Sequence, residues 1–310
     1  MLVQSREVEQ NTRESHLRFA FPYPEGISRG DDFQAAPEPE AVISFRRAGS
    51  LRYIANRPNP LRESFFRSLG IGPGRLVGIE LLHSRRVLIL EEGDRDRKSV
   101  VFERDAWTLA EAERKKTREP CVGQAGLVIA QDNMSDKKRE KFSVDGQADT
   151  VQGADGILCR SEYLVPSVTV ADCMPIWLFD RDSGFFGVLH SGWQGTGILR
   201  EAVRALEERF GSRPSSMAII LGPSIGSCCY AVPPDRAIFF AERFGPESVL
   251  EIAAGLSLDL RAANLGIARS LGIGAALSVE ACTACHAGFG SYRREGSACY
   301  TRMAAACGYF

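Results

Sequence analysis

An α+β fold layered around mixed β-sheet is what the sequence predicts, on two observations. Short β-branched and aromatic runs bounded by turn residues mix with helical stretches, without the strict strand–helix–strand alternation of a doubly wound protein. No internal repeat divides the chain, so one mixed sheet system is expected to organise it. Residues 1–40 are polar and then punctuated by Gly and Pro ("PYPEGISRGDDFQAAPEPE"), which reads as a leader with a loose tip, feeding a first strand near "AVISFRR". "LRYIANRPNPLRESFFRSLGIG" reads as a strand, a Pro-rich turn and an amphipathic helix stopped by Gly70. "RLVGIELLH" and "RRVLILEE" alternate apolar and polar residues as strands do, and His83 stands between them. From about 91 to 152 the chain is dense in mixed charge ("EEGDRDRKSV", "AEAERKKTREP", "SDKKREKFSVDGQADT"). This stretch is expected to be a surface insertion, either solvated helices and loops or an arm for a protein partner. Beyond it, "ADGILCR", "SVTVADC", "PIWLFD", "FFGVLH" and "MAIILGPSIG" read as strands, and "ILREAVRALEERFG", "PPDRAIFFAERFG" and "LDLRAANLGIARSLG" as helices.

Bulk properties narrow the function classes. The chain has 310 residues, 44% of them hydrophobic, enough to bury a sizeable core. Its 38 Lys and Arg nearly balance 39 Asp and Glu, so no overall field draws it to nucleic acid or an anionic membrane. No stretch has the roughly 18 uncharged apolar residues of a membrane span, and charges recur along "MLVQSREVEQNTRESHLRF", so a cytoplasmic location and a small-molecule substrate are expected. The 9 cysteines are an odd number in a long chain, which argues against a disulfide framework. Most are expected to be buried thiols, with one or two serving as ligand or nucleophile.

One pair of residues carries chemistry. "PIWLFD" and "FFGVLH" are joined by "RDSG", a turn-forming sequence. Pairing the strands about it sets residue 180 opposite 184 and 174 opposite 190, and a slip of one position at Pro175 brings Cys173 to face His190. The pair suits a Cys/His metal site or a thiolate–imidazolium couple. His83 also ends an apolar strand. A His83, Cys173, His190 set leaves the fourth tetrahedral position of zinc open, as catalytic zinc requires, while imidazole also suits copper.

Several segments occur together and in a familiar order: "ADCMPIWLFD", "GVLHSGWQGT", "LGPSIGSCCYAV", "LDLRAANLGIARSLG" and "CTACHAGFGSYRRE". In this the chain resembles the laccase-domain (YfiH-like) family, once called multicopper polyphenol oxidases and now associated with purine nucleoside phosphorolysis and adenosine deamination. The resemblance covers roughly 40–308 apart from the charged insertion. It implies a layered α/β/β/α sandwich, a single laccase-like catalytic domain over 41–310, and zinc held by His83, Cys173 and His190. The sequence departs from the family's usual residues at Leu82 and Ser84 around the first histidine, at Gln194 in "HSGWQG", and at Gly290 in "GFGSYRRE".

Under that resemblance the remaining chemistry is argued from residue type. Phosphorolysis needs an anion site, with phosphate as co-substrate, and a guanidinium grips phosphate in a planar fork, so Arg293 in "SYRRE" and Arg57 in "ANRPNP" are the candidates. Both have an alternative as salt-bridge partners. The helix after "HSGWQGTG" brings a positive N-terminus toward His190. Deamination needs an activated water and a proton shuttle, for which Asp172 is the candidate; it could equally cap a turn or orient a ligating histidine. The expected function is a zinc-dependent purine nucleoside phosphorylase with adenosine deaminase activity. The alternatives are a cysteine hydrolase or amidase using Cys173 and His190, a copper polyphenol oxidase, and a non-catalytic binding protein. "CTACH" (282–286) matches covalent haem attachment, but without an export signal it is set aside; Cys228 and Cys229 follow a Gly-rich loop that reads as a tight turn; His16 and His286 read as ordinary polar residues.

Overall fold

The computed structural model describes residues 1–9, 14–24, 37–55, 57–91, 98–102 and 151–310. The chain runs through β1 (Leu2–Glu7), β2 (His16–Ala20), β3 (Glu40–Ser44), α1 (Pro60–Ser68), β4 (Leu76–Glu80), β5 (Val87–Glu91), β6 (Lys98–Phe102) and β7 (Val151–Gln152). It continues through β8 (Gly156–Cys159), β9 (Val165–Val170), β10 (Met174–Asp180), β11 (Phe186–Ser191), α2 (Ile198–Phe210), β12 (Met217–Leu221) and α3 (Pro234–Phe244). The hairpin β13 (Val249–Ile252) and β14 (Gly255–Leu258), α4 (Leu260–Leu271), β15 (Ala275–Glu280), α5 (Tyr292–Glu295) and β16 (Met303–Gly308) complete it.

The strands form two large sheets and not one system: an 8-stranded sheet in the order β1-β15-β12-β10-β11-β8-β5-β6, and a 6-stranded sheet in the order β2-β3-β16-β9-β4-β7. Apolar side chains from both sheets, among them Phe19, Ile43, Val77, Val168, Trp177 and Val188, close into one buried cluster between them. The outer face of the larger sheet packs on α2, α3 and α4 through Ile176, Leu189, Leu199, Phe240 and Ile267. The outer face of the smaller sheet packs on α1 through Val42, Phe65 and Phe66. Burial therefore runs in four layers, helix, sheet, sheet, helix, the sandwich that the resemblance implied. Each helix has its stop: α2 and α4 end at Gly211 and Gly272 in the left-handed region, where a residue without Cβ is favoured. At the start of α1, Asn59 accepts hydrogen bonds from the Leu61 and Arg62 amides.

Two expectations need correction. Part of the polar leader is strand: β1 joins the larger sheet parallel to β15, and β2 pairs antiparallel with β3, burying Phe19. Leu17 and Phe19 alternate with Arg18, a period-two pattern short enough to be hidden among charges. The hairpin register also differs. Pro175 faces His190 and Met174 faces Ser191, because all four residues of "RDSG" lie in the loop and Asp180 hydrogen-bonds to Phe185. The charged insertion lies almost wholly outside the described residues; inside its bounds only the strands β6 and β7 and the end of β5 are described.

What positions the site is the way the chain passes between sheets. In the smaller sheet β4 is parallel to both β7 and β9. These strands feed β5, β8 and β10 respectively, all in the larger sheet. Three short crossovers, 81–86, 153–155 and 171–173, therefore leave the same edge of the sandwich side by side. Corners at which a chain switches sheets need unusual backbone. His83 and Asp172, at φ 57° and 77°, are the non-glycine residues with positive φ among those described.

Across the sandwich, the buried Trp177 donates its indole N–H to the Ala306 carbonyl at 2.8 Å, tying β10 to β16. Trp177→Phe should lower stability by about 1–3 kcal/mol through the lost donor and the void, read as a lower urea midpoint with an unchanged slope.

Candidate active site

The three crossovers and the end of β11 bring His83, Cys173 and His190 together. Their ligand atoms lie within 4.8 Å of one another, and the two imidazole rings meet edge to face with centroids 5.1 Å apart. Cys173 sits one residue before β10, past the ladder pair that faces His190, so the crossover turn and not the strand register aims its sulfur. Gly192 makes the approach possible: a Cβ there would lie 2.7 Å from the Cys173 sulfur.

Asp155, fully buried on the middle crossover, holds the arrangement. One carboxylate oxygen accepts the His83 amide N–H at 2.9 Å and lies 3.1 Å from His190 Nδ1; the other accepts the Ser84 amide at 2.7 Å and its hydroxyl at 2.6 Å. The Asp155 carbonyl also accepts the His190 amide at 2.7 Å. With Nδ1 facing the carboxylate, Nε2 of His190 is left for another partner. The electrostatics follow from these contacts. Burial opposes charge on His190, but attraction from Cys173 and the hydrogen bond to Asp155 outweigh it and push its pKa up to about 10. His83 moves the other way, lowered by burial and by its positive neighbour His190. Burial would raise Asp155, but its bonds to His190 and Ser84 bring it below the usual carboxylate value.

The trio opens onto a cavity of 370 Å³ whose wall includes Arg52, Tyr53, Glu80, Tyr300 and Arg302. The Arg302 guanidinium lies 3.8 Å from the Tyr300 ring centroid, and one Glu80 oxygen accepts the Ala55 amide at 2.9 Å. Arg57 and Arg293, the guanidiniums picked out for phosphate, are not on this wall. Arg57 is exposed past the turn it forms with Ile54; Arg293 is tied to the Ala231 carbonyl at 3.3 Å and lies beside the Tyr230 ring. Asp172 is off the wall as well, its carboxylate accepting the Thr283 hydroxyl at 2.6 Å and the Arg293 amide at 2.7 Å. Sequence reasoning missed Asp155, Arg52 and Arg302. An acid opening the apolar run "DGILC" was a signal for the first; Arg52 precedes Tyr53 and Arg302 lies two residues after Tyr300, patterns too common to single out.

Comparison with known proteins agrees with the fold. The family described as "Multi-copper polyphenol oxidoreductase laccase" matches residues 59–309. The chain is 34% identical over 170 residues to "Adenosine deaminase RL5" of an unknown prokaryotic organism, covering 52% of this chain and 64% of that protein. It is 34% identical over 157 residues to "Purine nucleoside phosphorylase YlmD" of Geobacillus stearothermophilus, covering 48% and 57%. The matched region thus spans less than two thirds of these relatives. Among solved structures, Bacillus licheniformis YfiH superposes with a TM-score of 0.62 at 22% identity over 88% of this chain and 93% of that one. No helix among the described residues is long and apolar enough to cross a membrane. On a match that runs from α1 to the end of the last strand, the chain belongs to the multi-copper polyphenol oxidoreductase laccase family, with the fold of the YfiH proteins.

Proposed function

We propose that the chain is a zinc-dependent purine nucleoside phosphorylase, acting on adenosine, inosine, guanosine or methylthioadenosine, that also deaminates adenosine. The observation that carries the reading is the meeting, on one cavity, of a Cys/His donor trio with arginine and tyrosine residues. Relatives named purine nucleoside phosphorylase and adenosine deaminase support it.

The donors fit zinc. One thiol and two imidazoles within 4.8 Å, with Asp155 orienting one of the rings, form the usual three-ligand set that leaves a position open. A His₂Cys copper centre commonly adds a weak axial Met, and the adjacent Met174 sulfur instead lies 3.8 Å from Asn264 in the helix-side core. Bound there, zinc supplies a Lewis acid at the cavity wall. The chain's own side chains do the rest. Arg52 and Arg302 take over the phosphate role assigned to Arg293 and Arg57, because both residues line the same cavity as the trio. Held there, a phosphate oxygen forms its bond to ribose C1′ as the glycosidic C–N bond breaks, and the purine leaves with the electron pair and gains a proton. Tyr53 and Tyr300 on the same wall supply aromatic groups against which the base can pack, and the Glu80 oxygen not bound to Ala55 can accept ribose hydroxyls. Asp172, with Thr283 and Arg293 on its two oxygens, is assigned a positioning role in place of proton shuttling.

A second reading rests on the His190–Cys173 attraction, which is that of a thiolate–imidazolium couple in a cysteine hydrolase or amidase. The two part on chelation. Purified chain should release hypoxanthine from inosine only when phosphate is present, and lose that activity when stripped of metal; activity that survives chelation but is lost on thiol alkylation favours the cysteine hydrolase, and phosphate-independent release rules out the phosphorylase. His190→Ala should abolish both phosphorolysis and zinc retention at the trio. Asp155→Asn should weaken zinc affinity about 10–100-fold, measured by competition with a chromogenic chelator. Arg302→Gln should raise the KM for phosphate about tenfold or more with a smaller effect on the KM for nucleoside, since a charged hydrogen bond contributes about 1.5–3 kcal/mol.

A further inference from the structure

A second sulfur cluster lies outside the candidate active site. We propose that Cys228, Cys229, Cys282 and Cys285 form a closed four-thiolate site for a structural zinc ion. Neighbouring parallel strands build it: β12 and β15 run side by side, so the loops that leave their C-terminal ends emerge together. The loops are stitched by an isolated parallel bridge between Ser224 and Cys282 and by the Thr283 amide donating to the Ser224 carbonyl at 3.0 Å. "GSCC" from one loop and "CTAC" from the other then meet, with all four sulfurs within 4.8 Å of one another.

The distances suit a shared ion. A tetrahedral zinc with bonds of about 2.3 Å separates its sulfurs by about 3.8 Å, the bond length times the tetrahedral edge ratio of about 1.63. Cys285 lies 3.6 Å from Cys228 and 3.4 Å from Cys229, sulfur to sulfur. A disulfide needs about 2.05 Å, and all four cysteines are free. Packing does not account for the cluster, because Cys228 and Cys285 are exposed and thiols hydrogen-bond only weakly. The backbone is arranged for thiolate: the Gly226 amide donates to the Cys282 sulfur at 3.2 Å, and the Ala284 and Cys285 amides also point to it. Such N–H bonds stabilise sulfur carrying negative charge. Gly226 eases the close approach of the loops, since a Cβ there would lie 3.1 Å from Cys282 Cβ and 3.3 Å from the Cys228 sulfur, a tight fit that neighbours would have to relieve. His286, next in sequence, is no competing ligand: its Nδ1 accepts the Gly288 amide and its Nε2 faces the Glu9 carbonyl. Soft thiolates in a closed tetrahedron select zinc or iron, and the structural form of that set is most often zinc.

The consequence is mechanical. The same loops carry Tyr230 and Thr283 and lead into α5 with Arg293, and Thr283 and Arg293 hold Asp172 on the crossover beside Cys173. An ion there would staple the loops that brace this end of the sandwich, whatever reaction the chain performs.

The test uses the full chain, purified under reducing conditions, with both metal content and cobalt spectra as readouts. The variant His83→Ala/Cys173→Ser, which removes the first trio, should retain about one equivalent of zinc per chain, and Cys282→Ser/Cys285→Ser should lose that equivalent and melt at lower temperature. Cobalt(II) added to the stripped His83→Ala/Cys173→Ser variant should give the intense near-ultraviolet charge-transfer band of thiolate ligation, a readout that stands if the cysteine variant fails to fold. No bound metal and no such band in the variant with all four cysteines intact would overturn the proposal. So would iron in place of zinc, or a disulfide among these residues in the reduced protein.

Discussion

The candidate site depends on one buried carboxylate. Asp155 is withdrawn from water and surrounded by donors that it satisfies on every side: two amides, a hydroxyl and an imidazole. A buried charge is tolerated only when so compensated, and its removal leaves those donors orphaned. The same four bonds fix the left-handed turn at His83, the ring orientation of His190 and the spacing between two strand ends. The geometry of the trio is therefore a property of Asp155 as much as of the residues that face the cavity.

The sandwich explains why the carboxylate finds these partners. Three parallel strands of the smaller sheet each hand the chain to the larger sheet at the same edge. Each crossover is too short to wander, so its residues are held between rigid ladders. His83 lies on the first, Asp155 on the second and Cys173 on the third. Positive φ at His83 and Asp172 costs backbone energy that the surrounding hydrogen bonds offset, the pattern expected where a fold holds side chains in place for chemistry.

Outside this edge, the bracing comes from the loops after β12 and β15. Asp172 receives the Thr283 hydroxyl and the Arg293 amide, so the third crossover is clamped from the far side by the segment that also bears the cysteine cluster. Neighbouring parallel strands thus organise both clusters of potential metal ligands, one between sheets and one at the ends of strands within a sheet.

Local sequence determined much of this. The amphipathic period marks α1 to α4, the alternating or continuous apolar runs mark most strands, and the scarcity of histidine draws His83, Cys173 and His190 out as a set. Those signals are legible because they depend on spacing along the chain. Which acid orients a histidine, which arginine shares its cavity, and whether two cysteine pairs more than fifty residues apart meet depend on how sheets stack and strands order, and no local period encodes that. Arg57 and Arg293 looked as apt as Arg52 and Arg302 in sequence, since all are guanidiniums near aromatic or turn residues. Only the tertiary structure separates them, by placing Arg52 and Arg302 on the wall of the cavity that holds the trio and Arg57 and Arg293 off it.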